Sequence, residues 1–169
     1  MTNRVITSLK RSGTPLVALS LYRFKDWHKL WAFGQMARGR FLLQGLPHLR
    51  FWKLLGTGKG IGFSIVPDLA QYGVLTVWDD PDAAFQFNKD GQLPKAWQKH
   101  AYQQQHFYLV PFKSQGLWSG TNPFEPVWQP EQFNPDNHRI AILTRASIAW
   151  HALLRFWQHV PSTSDALAK

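Results

Sequence analysis

The sequence has no cysteine among its 169 residues. This absence excludes disulfide bonds, a thiolate nucleophile, cysteine-ligated zinc, iron–sulfur clusters and thiolate-bound haem. Long apolar runs are also missing, since no stretch of about 18 consecutive apolar residues is available to span a bilayer. Residues 1–15 lack the apolar segment of a signal peptide. We therefore expect a cytoplasmic protein.

Several catalytic signatures are absent as well. The seven histidines form no His-x-x-x-His pair, which a helical zinc site of the protease type needs. No serine lies on a Gly-x-Ser-x-Gly turn. Asp79, Asp80 and Asp82 suit the first turn of a helix better than an acid pair for glycoside hydrolysis. The aromatic signature of RNA-recognition domains is missing too.

Aromatic residues and positive charge are abundant. Nine Trp and twelve Phe help to make the chain 15% aromatic, a composition too apolar for disorder. It suits a bulky core or a pocket for a large apolar ligand. Lys and Arg outnumber Asp and Glu by 19 to 10, for a net charge of +9. These charges are spread along the chain, which favours a general basic surface over a specific nucleic-acid groove.

A glycine run follows an aromatic, Lys-bearing stretch at residues 51–63. Glycines occupy positions 56, 58, 60 and 62, where they allow a positive φ or close backbone packing. The spacing matches neither the phosphate-binding loop nor the dinucleotide fingerprint. Two interpretations stay open: a glycine turn between two strands, or a backbone wall against a flat ligand.

The pattern of strand formers and helix signals predicts an α+β domain with the order βαββαβ. The predicted elements are a strand at 16–24, a helix capped by Asp26 and ending near Gly39, strands at 48–55 and 72–78 with a turn at Pro67–Asp68 between them, a helix starting at Asp80–Pro81, a helical piece at 94–104, and a strand at 106–112. This order is typical of a ferredoxin-like fold, an antiparallel sheet with helices on one face.

A partial internal repeat follows. Val17 matches Ile140, and Trp27 matches Trp150, at a constant offset of 123 positions. We therefore divide the chain into a first copy at 1–112, a Pro-rich extended crossover at 113–137 that packs on the sheet, and a partial second copy at 138–169. The second copy would contain a strand at 139–145 and a helix at 150–159. Such a unit cannot bury its own apolar face, so it must dock on the first copy or on a partner chain, which predicts a homodimer.

Four residues of the repeat are candidates for a cofactor site. His28 and His151 lie at equivalent positions just inside their helices, where either could be an axial ligand of haem iron. A half-exposed helical histidine is the alternative. Arg23 and Arg145 each end the first strand of a copy and could pair with a carboxylate such as a propionate. Ordinary surface arginines are the alternative for these two.

The chain resembles the spheroidene monooxygenase family of carotenoid ketolases. The pieces that carry the resemblance are Leu19–Phe24, Trp31–Met36, the Phe51–Phe63 run with its Lys53 and glycines, Trp118-Ser119-Gly120 with Pro123-Phe124, Leu143–Ala146, and Phe156-Trp157 with Val160-Pro161. The resemblance implies a tandem ferredoxin-like architecture of the dimeric α+β barrel type, with a second half that is shortened here. It also implies a haem-dependent oxygenase that acts on acyclic carotenoids and receives electrons from a separate donor.

The resemblance also implies a site. Lys53, Gly56, Gly58 and Gly60 would shape the cofactor wall together with the two arginines, Arg23 and Arg145. An apolar slot for the substrate would be lined by Trp31, Trp52, Phe63 and Trp118. The alternative function is a cofactor-free or non-enzymatic α+β barrel dimer that binds a hydrophobic small molecule. Because carotenoids reside in lipid and the chain is basic, we also expect peripheral, salt-sensitive binding to an anionic membrane such as the inner membrane.

Overall fold

The computed structural model describes residues 6–7, 9–10, 13–59, 66–127 and 139–144. The chain divides into two compact units, one of Met1–Gly56 and Leu69–Phe133 and the other of Thr57–Asp68 and Asn134–Lys169. None of the helices in the described ranges is long and apolar enough to cross a membrane.

A four-stranded antiparallel sheet organises the first unit. Its strands are β1 (Leu16–Arg23), β2 (Leu49–Gly58), β3 (Pro67–Trp78) and β4 (Gln103–Leu109), and their spatial order is β2-β3-β1-β4. β1 lies inside the sheet and pairs antiparallel with both β3 and β4. With a helix after β1 and helices after β3, this order is that of a ferredoxin-like fold. The predicted α+β class and ferredoxin-like topology are confirmed.

Three helices complete the unit: α1 (His28–Leu43), α2 (Pro81–Asp90) and α3 (Gln92–His100). α1 is longer than predicted, because Gly39 lies inside it rather than after it. A side chain at Gly39 would bring its Cβ to 2.9 Å from Leu93 Cδ1, so glycine here allows close packing of α1 on α3. The helix ends instead at Leu43, with Gln44 as its C-cap. Gly45 follows with φ of 75°, a backbone angle that glycine adopts readily.

The start of α1 also differs from the prediction. Asp26 is not the cap; its own φ is 51°, and Trp27 occupies the N-cap position without a side-chain hydrogen bond. The predicted turn at Pro67–Asp68 is wrong as well, because β3 already begins at Pro67. Proline is tolerated as the first residue of a strand.

The boundary between α3 and β4 was predicted too late in the chain. α3 ends at His100, and the Tyr102 backbone N–H donates to the Arg23 carbonyl at 2.9 Å. β4 then starts with three glutamines, Gln103-Gln104-Gln105. These residues have no marked strand preference, so their pairing with β1 decides the structure there.

The core between the sheet and the helices is largely aromatic. Trp97 of α3 is fully buried, and its ring meets those of Tyr22, Phe24 and Tyr72 edge-on at centroid distances of 5.2, 5.9 and 6.4 Å. Edge-to-face pairs of this kind add to the stability that burial itself provides. Much of the aromatic content of the chain is therefore structural.

The second unit is described only in part. The Lys59 backbone N–H donates to the Val66 carbonyl at 2.9 Å. Residues 139–144 lie in neither helix nor strand and are exposed. The predicted fifth strand is therefore not formed over these residues, although their β-branched sequence favours one, because a strand needs a partner to accept its backbone hydrogen bonds. The predicted helix at 150–159 lies outside the described residues.

The start of α2 gives a first testable prediction. Asp80 is the N-cap, accepting from the Asp82 backbone N–H at 3.2 Å, and it pairs with Lys10 Nζ at 3.2 Å. Burial opposes ionisation, but the Asp82 N–H and the Lys10 ammonium outweigh it and lower the pKa of Asp80. We expect Asp80→Ala to reduce the free energy of unfolding by about 0.5–2 kcal/mol at pH 7, as measured by urea denaturation.

Asp82→Asn is the matched control, because it removes the other Lys10 contact and leaves the cap in place. Its cost should be under about 0.5 kcal/mol. The loss of unfolding free energy in Asp80→Ala should become smaller as the pH falls through the lowered pKa of Asp80, because the carboxylate of the wild type is then protonated. An equal loss of unfolding free energy in Asp80→Ala and Asp82→Asn would contradict a capping role for Asp80.

Candidate functional site

The face of the sheet that points away from the helices is the candidate site. Successive strand side chains alternate between the two faces, so the odd-numbered residues of β1 share this face with their register partners in β3 and β4. Phe51 and Leu55 of β2 pack on the same side, and we call this side of the sheet the open face. In the first unit it is formed by Val17, Leu19, Leu21, Arg23, Phe51, Lys53, Leu55, Gln71, Gly73, Leu75, Val77, Gln103, Gln105, Phe107 and Leu109.

Two of the motifs that carry the family resemblance meet on the open face. Lys53 Nζ donates to Ser119 Oγ at 3.1 Å, and the Trp118 ring lies edge-on to Phe51 at 5.8 Å. The turn at Trp118–Thr121 makes these contacts possible, since Ser119 and Gly120 have φ of 55° and 87°. Positive φ at both central residues is typical of a tight hairpin turn with glycine second. The aromatic strand and the Trp-Ser-Gly turn therefore form one local structure.

The segment after β4 is held against the sheet by specific contacts. Arg50 binds the carboxylate of Asp79, with Nε to Oδ1 at 2.7 Å, and also donates to the Glu125 carbonyl. Phe124 packs on Trp118 at 5.6 Å and belongs to the same apolar cluster as Val17 and Val77. In the part of this segment that the structure describes, Trp118 and Phe124 therefore pack on the open face.

The open face ends in a polar depression. Arg23 Nε donates to Gln71 Oε1 at 2.8 Å. The depression has a volume of about 190 Å³ and is lined by Leu21, Arg23, Gln71, Gln103, Gln104 and Gln105. Gly73 lies beside Leu21, and a Cβ there would come to 3.1 Å from Leu21 Cδ2. Glycine at this position therefore lets the Leu21 side chain pack closely over β3.

The chemistry available on the open face is binding rather than proton transfer. Its strand positions carry apolar side chains, one lysine, one arginine and glutamine amides, and none of the strand residues assigned to it above is His, Asp or Glu. Phe107 stays 44% exposed there. Such a surface can hold an elongated apolar molecule and donate hydrogen bonds to a polar end. It offers no general base of its own.

The predicted substrate residues do not come together. Trp31 and Trp52 pack against the core on the helix side of the sheet, whereas Trp118 packs on the open face. Phe63 lies outside the described residues, as do Gly60, Arg145 and His151. Sequence reasoning missed Ser119 and the glutamines at 71, 103 and 105. The signal for Ser119 is its place in the Trp118-Ser119-Gly120 motif, and the signal for the glutamines of β4 is the run of three at Gln103–Gln105.

Two of the predicted cofactor glycines belong to a strand. Gly56 and Gly58 are in β2, so at these positions the run is not a turn. Gly56 has no positive φ, and a Cβ there would meet no atom within 4 Å. The backbone at Gly56 is therefore in a strand and lies beside open space, and the ligand-wall interpretation of the glycine run stays a prediction.

His28 is engaged in a histidine pair on the helix side. Its Nδ1 lies 3.0 Å from Nδ1 of His100, and the two rings are covered by Trp27 at 3.9 Å and Trp31 at 4.0 Å. One Nδ1 must donate and the other accept. Burial, followed by the charge of His28, lowers the pKa of His100.

The residues predicted to hold haem lie on opposite sides of the sheet. α1, which carries His28, packs on the helix side of the sheet, whereas Lys53 and Arg23 are on the open face. The described residues thus form no common haem site. Within the described ranges, no cluster of three or more His, Cys, Asp or Glu residues is placed to hold a metal ion.

A second histidine, His106, belongs to a buried polar network. The Ser20 hydroxyl donates to Asn88 Oδ1 at 3.3 Å, so the His106 Nδ1–H is the donor to Ser20 Oγ at 2.8 Å. Asn88 Nδ2 donates to the Tyr108 hydroxyl at 2.9 Å. Ser20 is only 3% exposed, so this serine–histidine pair is structural and links α2 to the sheet.

The network predicts a pH dependence of stability. Burial lowers the pKa of His106, so the unfolded chain binds its proton more readily, with a pKa of about 6.5. The stability that the neutral ring provides is present above that value and is lost as the pH falls through it towards the folded pKa. We expect the free energy of unfolding to fall between about pH 7.5 and 5 in urea titrations.

His106→Asn should keep a donor to Ser20 and remove the titration. The decline in stability with falling pH should then be smaller than in the wild type, while the remaining histidines contribute equally to both. A variant whose pH profile runs parallel to that of the wild type would contradict this assignment.

Comparison with solved structures gives distant matches. The oxygenase SnoaB of Streptomyces nogalater, described as cofactor-independent, has a TM-score of 0.42 at 15% identity, covering 60% of this chain and 96% of that chain. A protein of Pseudomonas aeruginosa has a TM-score of 0.45 at 11% identity, covering 57% of this chain and 92% of that chain. No protein-family model matches the sequence.

Comparison with curated proteins gives closer matches. The chain is 34% identical over 154 residues to a spheroidene monooxygenase of Cereibacter sphaeroides, covering 90% of this chain and 46% of that protein. It is 33% identical over 156 residues to the spheroidene monooxygenase of Rhodobacter capsulatus, covering 92% of this chain and 64% of that protein. The chain thus spans about half to two-thirds of the length of these relatives. The resemblance carried by the motifs is confirmed: by sequence, this chain belongs to the spheroidene monooxygenase family.

Proposed function

We propose that this chain forms part of a monooxygenase that oxidises an acyclic carotenoid or a similarly apolar compound on the open face. The observation that carries the proposal is the meeting of two family motifs there, through Lys53 with Ser119 and Phe51 with Trp118. Residues that are 66 positions apart in the sequence thereby form one wall of the same face.

The shape and polarity of the open face support an elongated apolar substrate. Its middle consists of leucines and the half-exposed Phe107. Its end carries Arg23 and glutamine amides, which can donate hydrogen bonds to a ketone, hydroxyl or ether at one end of the molecule. The protein's part in the reaction is then to bind the substrate, orient it and exclude water.

Haem and a separate electron donor belong to the proposal through the family resemblance alone. Haem would supply the activation of oxygen, which the side chains of the open face cannot provide. The described residues assemble no site for it, so its ligand is not assigned. A homodimer likewise remains a proposal for the assembled protein.

A cofactor-free protein that binds a hydrophobic small molecule is the second candidate. It is favoured by the separation of His28 from Lys53 and Arg23 across the sheet. The two candidates differ in one measurement, the absorption spectrum of the purified protein after haem addition. A Soret band that saturates at a fixed stoichiometry supports the first candidate, and its absence supports the second.

Phe107 provides a test of the open face. We expect Phe107→Ser to weaken binding of an acyclic carotenoid about tenfold, because roughly 1.5 kcal/mol of apolar contact is lost with the ring. The melting temperature should change little, since the ring is already partly exposed. Binding can be measured by fluorescence quenching of the tryptophans during a carotenoid titration.

Phe112→Ser is the matched control for this test. Phe112 has a similar exposure of 39% but lies beyond the end of β4. This variant should bind the carotenoid like the wild type. Equal weakening in both variants, or none in Phe107→Ser, would remove the open face from the proposal.

Gly56 tests the ligand wall. Because its backbone is extended and its Cβ direction is open, Gly56→Val should leave the melting temperature unchanged or raise it. If the glycine run contacts haem or carotenoid, the same variant should bind that ligand at least tenfold more weakly, since the β-branched side chain would occupy the contact surface. An unchanged titration with both ligands would contradict the wall.

A further inference from the structure

The outer side of α1 carries an apolar surface that no part of the described chain covers. Trp27, Leu30, Phe33 and Phe41 are between 60% and 72% exposed. The opposite side of the same helix is packed into the core through Ala32, Gly39 and Leu43. α1 is therefore apolar on both sides, although only one side meets the sheet.

These four side chains share one stripe. At about 100° per residue, they project within an arc of roughly 120° on the side of the helix that faces away from the core. We call this set, Trp27, Leu30, Phe33 and Phe41, the outer stripe. Gly34 and Ala37 lie within the same arc and keep it smooth. A continuous exposed stripe of large apolar groups on a water-soluble surface is typical of an interaction site.

Positive charges border the outer stripe on both sides. Arg38 projects beside one edge of the arc, and Lys29 and Arg40 project beside the other. α1 contains no Asp or Glu. Among the ion pairs found in the described part of the chain, none involves these three cations. These three cations are thus available to a partner, on a chain whose net charge is already +9.

We propose that the outer stripe of α1 docks on the surface of an anionic lipid bilayer. An interfacial helix inserts its apolar side among the acyl chains near the headgroups, while lysine and arginine at the border reach the lipid phosphates. Trp27 at the start of the helix has the amphipathic ring that favours the headgroup region. The inference uses α1 alone and does not depend on the proposed function.

Other partners fit this surface less well. A second copy packed stripe to stripe would place the arginines and lysines of both copies close together, and like charges at an interface oppose association. A nucleic acid would match the cations but would leave the leucine and the aromatic rings without an apolar partner. A bilayer with anionic headgroups offers acyl chains to the apolar side chains of the outer stripe and phosphates to the cations that border it.

Vesicle sedimentation with the full chain tests the proposal. We expect binding to phosphatidylcholine vesicles that contain about a quarter phosphatidylglycerol, weak binding to pure phosphatidylcholine, and loss of binding as salt rises to about 0.5 M. Replacing Lys29, Arg38 and Arg40 by Gln should weaken binding to the anionic vesicles by roughly fivefold per cation, or about 100-fold in all. Replacing Leu30, Phe33 and Phe41 by Ser should weaken it more than tenfold.

A control variant separates a local site from general charge. Lys89→Gln, Lys99→Gln and Lys113→Gln together remove the same net charge from positions outside α1. This triple variant should retain most of the wild-type binding. If it loses as much affinity as the α1 charge variant, binding depends on net charge alone and the proposal is overturned. Circular dichroism and thermal melting verify that each variant is folded.

The absence of cysteine permits a direct readout of insertion. Phe33→Cys labelled with an environment-sensitive fluorophore should shift to shorter wavelength when anionic vesicles are added, whereas label at Lys89→Cys should not. No shift at position 33 would overturn the proposal. A shift that appears without vesicles and grows with protein concentration would also overturn it, in favour of a second copy on this surface.

Discussion

The pairing of β1 on both of its edges is the constraint on which the rest of the structure depends. β3 and β4 hydrogen-bond to it along its length, so the strand cannot rotate. Its even-numbered residues, including Tyr22, are held in the core, and its odd-numbered residues are held on the open face. A shift of one residue would place Arg23 under the helices and would exchange the two faces completely.

The same constraint explains how the many aromatic residues are used. On the helix side, Trp97, Tyr22 and Phe24 fill a core in which large rings meet edge to face. On the open face, Phe51 and Trp118 belong to a smaller apolar cluster, while Phe107 of β4 stays 44% exposed. A third group lies outside both, on the outer stripe of α1. The aromatic residues are therefore divided among the core, the open face and the outer stripe.

The two surfaces to which we assign binding lie on opposite sides of the sheet. A lipid-soluble substrate that reaches the protein from a bilayer at α1 must therefore pass around an edge of the sheet to the open face. Lys53 and Arg23 on the open face and the cations beside α1 do not compete for one ligand. Under these two proposals, the basic residues of the chain are divided between a substrate surface and a membrane surface.

The sequence by itself determined the elements that depend on local rules. The strand at β1, the Asp80 cap before Pro81 and the order βαββαβ follow from strand-forming residues, capping and turn chemistry, each of which acts over a few residues. Only the tertiary structure decided what distant residues do together. Gly39 continues a helix because Leu93 packs on it, and Gln103–Gln105 form a strand because β1 offers hydrogen-bond partners. Trp31 and Trp52 are separated from Trp118 because the sheet runs between them, and no local pattern specifies which side of a sheet a distant turn will cover.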